Sequence, residues 1–538
     1  MIRRARADRA ALITHTESAT VERRDHRGLA GDPTTSDASA ASEAATYAVG
    51  FFAAQLLLFV AGVVQKRLLG PGATGAWTLL GTFWSFFALA ALGATAGMGR
   101  ELPAYRGMRD LKRARVAANT GGSFGVASFA VAGLVVAAVG LLATSWSPYL
   151  RWGLVLLGLT APLRALVDIH TDILRLTRRF RILAVSLVLN ALLVLTLQSA
   201  FVAVLGFWGM FVGLVVVSLA SLGLWTKLGL TGFRRPAFRW QIDLSMLRHL
   251  ALVGIPVTAY SNLWVLFTSI DTLLVATFLD IKSVGYYSVA VSVNSYVLFL
   301  PRIVGGALFP RMQERFSAQN SVRAIRHYAV DVPRVLAYLL VPLLLAAAFF
   351  LLPVLVRQAM PSFTPGIRAV QVIVAGSFFL SLADMPIEFM ITAGRRWRIT
   401  GLMVAALAVN AAANAIALGV FHAGLVGAAA ATGGSYFLLF ATTTYMAVAT
   451  ADTHGAAVSQ MLRLIMAGVW TIGVLWGTEV LFGPGGGSLA HELTRAFLKL
   501  VIALVALSPL VVLGEIRYRP LAMLLRMARG VFGHLRGG

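Results

Sequence analysis

The chain contains no cysteine, and it is poor in acidic residues and in charged residues generally. The missing thiols exclude disulfide bonds, thiol catalysis and cysteine-based metal sites. Charged residues make up 13% of the 538 residues, about half of the roughly 25% that is usual in soluble proteins. This composition excludes an ordinary soluble protein.

Hydrophobic residues take the place of charge, at 58% of the chain with a mean hydropathy of +0.79. Apolar runs of about 20 residues recur between short polar segments, and each is long enough to cross a bilayer core of roughly 30 Å. Backbone polar groups in lipid must be satisfied internally, so each run is predicted to be a helix. We therefore predict an all-α membrane protein, a polytopic bundle of about fourteen transmembrane helices. They lie near 46–68, 77–99, 117–143, 152–174, 182–205, 207–226, 249–277, 284–310, 332–356, 367–392, 399–420, 424–449, 461–482 and 493–514. Thirteen helices remain open, because the two runs within 182–226 are separated only by a turn at Gly206.

The net charge of +24 is concentrated in every second segment between apolar runs, which argues against a nucleic-acid-binding surface. Loops rich in Lys and Arg stay on the cytoplasmic side of a membrane. Both termini are therefore predicted to be cytoplasmic. Residues 1–45 are predicted to form a disordered basic tail, 227–248 a cytoplasmic linker and 515–538 a second basic tail.

A short basic motif occurs twice, as Arg178-Arg179-Phe180-Arg181-Ile182 and as Arg395-Arg396-Trp397-Arg398-Ile399. Each copy follows two acids four residues apart, first Asp168 and Asp172, then Asp384 and Glu388. Gly75 and Gly285 also occupy matching places before a helix. The duplication predicts an N-lobe of helices 1–6 at 46–226, a C-lobe of helices 7–12 at 249–450, and two further helices within 451–514. An even number of helices per half gives parallel repeats.

Several short motifs together resemble the polysaccharide-exporter branch of the multidrug/oligosaccharidyl-lipid/polysaccharide exporter superfamily. They are Arg67-Leu68-Leu69-Gly70-Pro71 with Gly75, Ile270-Asp271 with 284–290, Leu308-Phe309-Pro310-Arg311, and Asn410 and Asn414 with 424–429. The resemblance implies an O-antigen-type flippase, a transporter and not an enzyme, in the bacterial plasma (inner) membrane. Two lobes would face a central cavity with alternating access. The cargo would be an undecaprenyl-pyrophosphate-linked oligosaccharide. Expected partners are this lipid-linked sugar, membrane lipids, and polysaccharide polymerase and glycosyltransferases, but no nucleic acid.

Arginines inside the helices are the strongest candidates for binding the pyrophosphate, because charge in the bilayer is costly and its presence there usually serves function. Arg164 lies near the middle of helix 4, and Asp168 lies one turn away on the same face. Either the two form a structural ion pair, or Arg164 presents its planar guanidinium to the pyrophosphate. Arg302 in helix 8 has no evident partner nearby in the sequence. A structural role, or a side chain reaching to the inner surface, is the alternative for Arg302.

Asp271, Asn410 and Asn414 are candidates for a site that binds a coupling Na⁺ or H⁺, and no other cofactor is expected. Related lipid flippases suggest such a site among helices 7, 11 and 12, while the alternative is hydrogen bonding between helices. Asp384 and Glu388 are expected to pair with Arg395, Arg396 or Arg398 at the membrane surface, and the alternative is that the two acids bind a cation or proton. Asp168 and Asp172 admit the same interpretation beside the first Arg motif. Tryptophans and tyrosines such as Trp84 and Tyr287 are expected in a membrane-interface belt.

Other functions remain open. A cation-coupled multidrug antiporter and a lipid II flippase would share the fold. A membrane glycosyltransferase would need a large extramembrane loop that holds its catalytic residues, and the internal loops here are short and basic. The string Gly70-Pro71-Gly72-Ala73-Thr74-Gly75 matches the pattern GxGxxG. We interpret it as a helix–helix turn, because no strand precedes it and no acid lies near Ala94.

Overall fold

The computed structural model describes residues 37–227, 238–483 and 485–518. Within these residues every regular secondary-structure element is a helix, which confirms the all-α prediction. The predicted tails, 1–45 and 515–538, fall largely outside the described residues, and so do residues 228–237 of the predicted linker. The first helix begins at Asp37, so the prediction of a disordered segment is wrong for residues 37–45. This stretch is rich in alanine, the best helix former, and starts with an acid, which favours a helix N-terminus.

Seventeen α-helices are present in the described part of the chain, with short π-helical or 3₁₀ segments between some of them. The α-helices are α1 Asp37–Ser85, α2 Phe87–Ala90, α3 Ala94–Gly107, α4 Leu111–Leu142, α5 Pro148–Leu176, α6 Phe180–Leu193, α7 Ser199–Leu205, α8 Phe207–Lys227, α9 Leu244–Phe278, α10 Ile281–Gln319, α11 Arg326–Val335, α12 Val341–Ala359, α13 Ile367–Thr392, α14 Arg396–Ala415, α15 Gly424–Ala451, α16 His454–Phe482 and α17 Leu489–Tyr518. The π-helical segments are Val194–Gln198, Leu336–Leu340 and Ile416–Val420, and the 3₁₀ segments are Val322–Ile325 and Pro361–Gly366.

Thirteen helical stretches of the described chain are long and apolar enough to cross a membrane. The first, Thr46–Ala90, contains a non-helical residue at Gly70 (φ 70°, ψ 174°) followed by Pro71. Two predicted helices, 46–68 and 77–99, meet at this kink. Counting this stretch as two helices gives the predicted total of fourteen. Gly206, with φ 58°, separates α7 from α8 as predicted. The GxGxxG string therefore lies at a helix–helix junction and not in a nucleotide-binding loop.

Predicted helix 2 extends further than the sequence indicated. It is interrupted at Leu92 and Gly93, which both have positive φ, and it resumes as α3 to Gly107. A Cβ added at Gly93 would collide with the backbone of Ile255, and one at Gly254 with the Gly93 carbonyl oxygen. The two glycines thus allow α9 to lie directly against the interrupted helix.

The duplication is visible in the helix ends. Asp384, Glu388 and Gly394 lie 216 residues after Asp168, Asp172 and Arg178 (384 − 168, 388 − 172, 394 − 178). Arg178 (φ 56°) and Gly394 (φ 77°) are the left-handed residues that end α5 and α13. The repeated Arg motif is offset by 217 residues instead (395 − 178). The first motif therefore begins at the left-handed residue, and the second begins one residue after it.

Contacts divide the chain into two units. One contains the described residues up to Gly62 together with Phe83–Asn262, and the other contains Val63–Thr82 and the described residues from Leu263 onward. All three boundaries fall inside helices, two in α1 and one in α9, and not at the predicted lobe boundaries, which stay predictions.

In the first unit, a strap formed by residues 238–243 is bound along the polar face of α4. The backbone N–H groups of Arg239, Gln241 and Asp243 donate to the side chains of Asn119, Ser123 and Thr120, at 2.8, 3.1 and 3.1 Å. Phe238 is buried in the core beside Met98, Ile169 and Leu250. The strap runs directly into α9, so it fixes where that helix begins.

In the second unit, Gly75 and Gly285 lie at a close crossing of α1 and α10. A Cβ at Gly75 would meet the carbonyl oxygen of Ile281, and a Cβ at Gly285 would meet that of Pro71. Ile281 lies 210 residues after Pro71, and Gly285 lies 210 residues after Gly75 (281 − 71, 285 − 75). Equivalent positions of α1 and α10 therefore make the same contact in both directions across the crossing. Lys66 Nζ strengthens it by donating to Ser292 Oγ at 2.7 Å.

Candidate functional site

Arg164 lies within α5, twelve residues from its end at Leu176, or about 18 Å at 1.5 Å per residue. Its Nε is 4.0 Å from Asp168 Oδ2, and both side chains are substantially exposed. Its guanidinium also lies over the ring of Trp84, 4.8 Å from the centroid. The predicted pairing of Arg164 with Asp168 is confirmed, although the pair is loose. Trp84 is thus a stacking partner of this arginine, and its place in an interface belt stays a prediction.

Arg302 occupies a similar environment in the second unit. Its Nε is 3.9 Å from Asp384 Oδ2, and its guanidinium lies 5.3 Å from the centroid of the Trp264 ring. Arg302 has no partner nearby in the sequence, and the acid it meets belongs to a helix more than 80 residues away. Helix α10 ends at Gln319, seventeen residues later, which places Arg302 about 25 Å from that end.

The two arginines share a chemistry that ordinary structural arginines lack. Each has an acid at the limit of ion pairing and a tryptophan ring on one side. Within the described residues, neither guanidinium donates a hydrogen bond, and Arg302 is 45% exposed. A planar fork with five free donors matches the oxygens of a phosphate, and the aromatic ring holds the fork in place.

Asp271 in α9 is the centre of a buried polar network in the second unit. Tyr287 Oη donates to Asp271 Oδ2 at 2.7 Å, Thr432 Oγ1 donates to the same oxygen at 3.3 Å, and the Thr272 amide donates to Oδ1 at 2.7 Å. Asp271 is 2% exposed. These donors come from α9, α10 and α15, so the carboxylate joins three helices.

Asn410 and Asn414 belong to the same network through Thr432. Asn414 Nδ2 donates to Asn410 Oδ1 at 2.8 Å and to Thr432 Oγ1 at 3.2 Å, and Asn410 Nδ2 donates to the Phe267 carbonyl at 2.9 Å. The three residues singled out from sequence are thus brought together. Their role in ion binding stays a prediction.

Two features of this network fit a monovalent cation. Asn414 Oδ1 is buried and accepts no hydrogen bond from the residues that the structure describes. Asp271 has no basic partner among the described residues, so an ionised carboxylate there carries one uncompensated charge. Burying such a charge is costly, and a bound sodium ion or a proton would neutralise it. The described residues contain no cluster of three or more His, Cys, Asp or Glu that would suit a divalent metal.

The acids near the duplicated motif pair differently from the prediction. Asp384 faces Arg302, while Arg395 Nη1 donates to Thr450 Oγ1 at 2.8 Å. Asp172 pairs with Arg175 at 2.8 Å on the same helix. The expectation that these acids neutralise the Arg motifs is therefore wrong for Asp168, Asp172 and Asp384.

Four contributors to these sites escaped the sequence analysis as site residues: Trp84, Trp264, Tyr287 and Thr432. Tyr287 had been expected in an interface belt, yet it is completely buried and bonded to Asp271. Sequence spacing could have indicated this contact. Tyr287 follows Asp271 by sixteen residues across a short turn, so the two lie on consecutive antiparallel helices.

Comparisons with known proteins agree with this architecture. A model of the family described as polysaccharide biosynthesis protein matches residues 63–358. No curated protein matches the chain.

Among solved structures, an inward-facing multidrug resistance MATE family transporter of the MOP superfamily is 14% identical, with a TM-score of 0.62, over 75% of this chain and 96% of that one. The lipid II flippase MurJ in an inward closed conformation is 12% identical, with a TM-score of 0.62, over 88% of this chain and 99% of that one. A mutant of the Vibrio cholerae MATE transporter VcmN is 14% identical, with a TM-score of 0.54, over 76% and 98%. These likenesses identify the fold.

The match over more than half of the chain, on a bundle with the fold of MOP superfamily transporters, shows that this multi-pass membrane protein belongs to the polysaccharide biosynthesis protein family.

Proposed function

We propose that the protein is a flippase, and not an enzyme, that moves a polyprenyl-pyrophosphate-linked oligosaccharide across the bacterial plasma membrane for polysaccharide synthesis. The observation that carries the proposal is the pair of tryptophan-stacked arginines at membrane depth, one in each unit. An anionic headgroup cannot cross hydrocarbon without fixed cations to replace its water. Arg164 and Arg302 supply these cations, and the polyprenyl tail stays in lipid.

The acids beside the arginines have a part in this cycle. In the absence of cargo, Asp168 and Asp384 partly neutralise the guanidiniums at 4.0 and 3.9 Å. Because both pairs are loose, a pyrophosphate displaces the carboxylates at little cost. Release then restores the original pairs, so cargo affinity stays moderate, as a transporter needs.

Coupling to an ion gradient is assigned in this proposal to the network of Asp271, Asn410, Asn414 and Thr432. A sodium ion would take oxygens from Asp271, Asn414 and Thr432, and a proton would reside on Asp271. Binding would draw α9, α14 and α15 together, since each helix contributes a ligand. Ion occupancy would thereby favour one conformation of the second unit over another.

Flux in proteoliposomes tests the proposal. The purified protein is reconstituted with a fluorescent polyprenyl-pyrophosphate-linked oligosaccharide, and transbilayer movement is followed with a membrane-impermeant quencher. The variant with both Arg164→Ala and Arg302→Ala is expected to lose more than nine-tenths of the flux. Arg151→Ala and Arg368→Ala are matched controls, because both arginines also stack on tryptophan but lie near helix starts. Undiminished flux in the double variant removes the proposed role.

The alternatives predict different cargo. A cation-coupled multidrug antiporter binds positively charged drugs, and the positive charge of the Arg164 and Arg302 guanidiniums would repel such cargo. A lipid II flippase would use the same pyrophosphate contacts. Competition in the flux assay separates these functions: if lipid II at a concentration equal to that of the oligosaccharide substrate abolishes oligosaccharide movement, the cargo is the cell-wall precursor.

A further inference from the structure

We propose that a cavity in the second unit binds the phosphate of an anionic phospholipid headgroup. The cavity has a volume of about 340 Å³ and is lined by Arg323, Arg326, Thr450, Ala451, Asp452 and Thr453. It lies where α15 ends and α16 begins, beside the 3₁₀ segment that leads into α11. This volume is within the range of roughly 300–1,000 Å³ for small-molecule sites.

The cavity has an excess of positive charge. Arg326 is neutralised by Asp452, with Nη2 2.6 Å from Oδ2. The Thr453 amide and Arg326 both donate to Asp452 and hold the pKa of that carboxyl below its usual range, so it stays ionised. The side chain of Arg323 is exposed and makes no ion pair or hydrogen bond within the described residues. Arg395 adds a further cation, because it donates to Thr450 Oγ1 on the cavity wall.

The surroundings favour a lipid over a soluble anion. Trp397, two residues after Arg395, is 76% exposed, and tryptophan prefers the headgroup level of a bilayer. The adjoining core of Val330, Val448 and Ala457 is apolar. The cavity faces the boundary between two membrane-spanning stretches that end at Ala451 and begin at His454. Basic pockets between transmembrane helices at this level are suited to phosphate-bearing headgroups.

This site is separate from the flippase proposal, because it uses no residue of the arginine pairs or of the Asp271 network. Bound lipid would connect α11, α14 and α15 at one end of the unit. The expected ligand carries a negatively charged phosphodiester, as phosphatidylglycerol does, and zwitterionic lipids are disfavoured.

Native mass spectrometry of the full chain, titrated with phosphatidylglycerol or phosphatidylcholine, tests the assignment. The variant Arg323→Gln is expected to bind phosphatidylglycerol about five-fold more weakly, since one basic residue near an anionic surface contributes about a factor of five. Arg323→Lys keeps the charge and is expected to stay within two-fold of the wild type. Arg248→Gln removes a cation that is also exposed, but in the other unit, and is the matched control.

Three results would overturn the proposal. The first is equal weakening by Arg248→Gln, which would indicate a general charge effect. The second is equal binding of phosphatidylcholine and phosphatidylglycerol. The third is displacement of phosphatidylglycerol by millimolar inorganic phosphate, which would assign the cavity to a soluble anion. Because flux is not the readout, failure here leaves the flippase proposal intact, and failure of the flux test leaves this site intact.

Discussion

Replacing Gly285 by alanine should open the crossing between α1 and α10. The added methyl group would lie against the carbonyl oxygen of Pro71, closer than Cβ atoms approach a backbone. A backbone oxygen cannot rotate away, so the two helices must move apart. Overpacking of this kind costs roughly 1–3 kcal/mol. At about 2 kcal/mol, the closed crossing loses roughly thirty-fold in population relative to conformations in which the helices have separated.

The chain is well suited to measuring this shift, because it has no native cysteine. Cysteines introduced as Leu68→Cys and Lys282→Cys would be the only attachment points for spin labels, and double electron–electron resonance reports the distance between them. Gly285→Ala should move the distance distribution to longer values. If alternating access separates these helices, flux should also change.

Gly72→Ala is the matched control, since a Cβ there meets nothing within 4 Å although Gly72 directly follows Pro71, the residue that Gly285 approaches. It should leave the distance distribution unchanged. The reasoning is refuted if Gly285→Ala leaves the distances as in the parent, or if Gly72→Ala lengthens them equally.

Three further outcomes are expected. Asp271→Asn should make flux independent of Na⁺ or proton gradients while headgroup binding is retained; gradient-driven transport in the variant would contradict the coupling role. Gly394→Ala should destabilise the protein by about 1 kcal/mol, because alanine is strained at φ 77°, whereas Arg178→Gly should be neutral or stabilising; thermal unfolding measures both, and equal effects would count against the turn geometry. The side chain of Asp243 accepts hydrogen bonds from residues 245 and 246, which lower its pKa. Its stabilisation is therefore present above the ordinary carboxyl pKa and is lost as the pH falls through the lowered value. Asp243→Ala should lower the unfolding temperature at pH 7 and have progressively less effect in acid, and a pH-independent difference would argue against this cap.

Local features of the structure were predictable from sequence. The breaks at Gly70 and Gly206 follow from glycine, with proline after the first, and the Arg164–Asp168 pair follows from helical spacing. The likeness of Gly75 and Gly285 was visible as a repeat, although their placement at one crossing was not. Each of these predictions rests on neighbours in the chain or on an internal match.

Partners supplied by distant helices were not predictable. Arg302 meets Asp384 and Trp264 only through packing of α10 against α13 and α9. A sequence gives no rotation of one helix about its axis relative to another, so the partner of an intramembrane charge stays open. Asp271 illustrates the same limit, because its residue type indicated a polar site but Tyr287 and Thr432 had to be located in space.

The repeated Arg motif shows how a correct pattern can misplace single residues. Letter matching aligns Arg178 with Arg395, while the turns align Arg178 with Gly394. The backbone bend, and not the side-chain string, is what the halves share. Roles inferred by transferring one Arg onto its copy would therefore be displaced by one residue.

The strap of residues 238–243 should hold two fragments of the protein together when the chain is cut just before it. Its amides are held by Asn119, Thr120 and Ser123, and Phe238 is buried beneath them. A protein cut between residues 227 and 238 would still carry a docking peptide at the new amino terminus of its second fragment. Two co-expressed fragments should consequently recognise each other and co-purify, whereas a cut after Asp243 would leave the second fragment without that peptide.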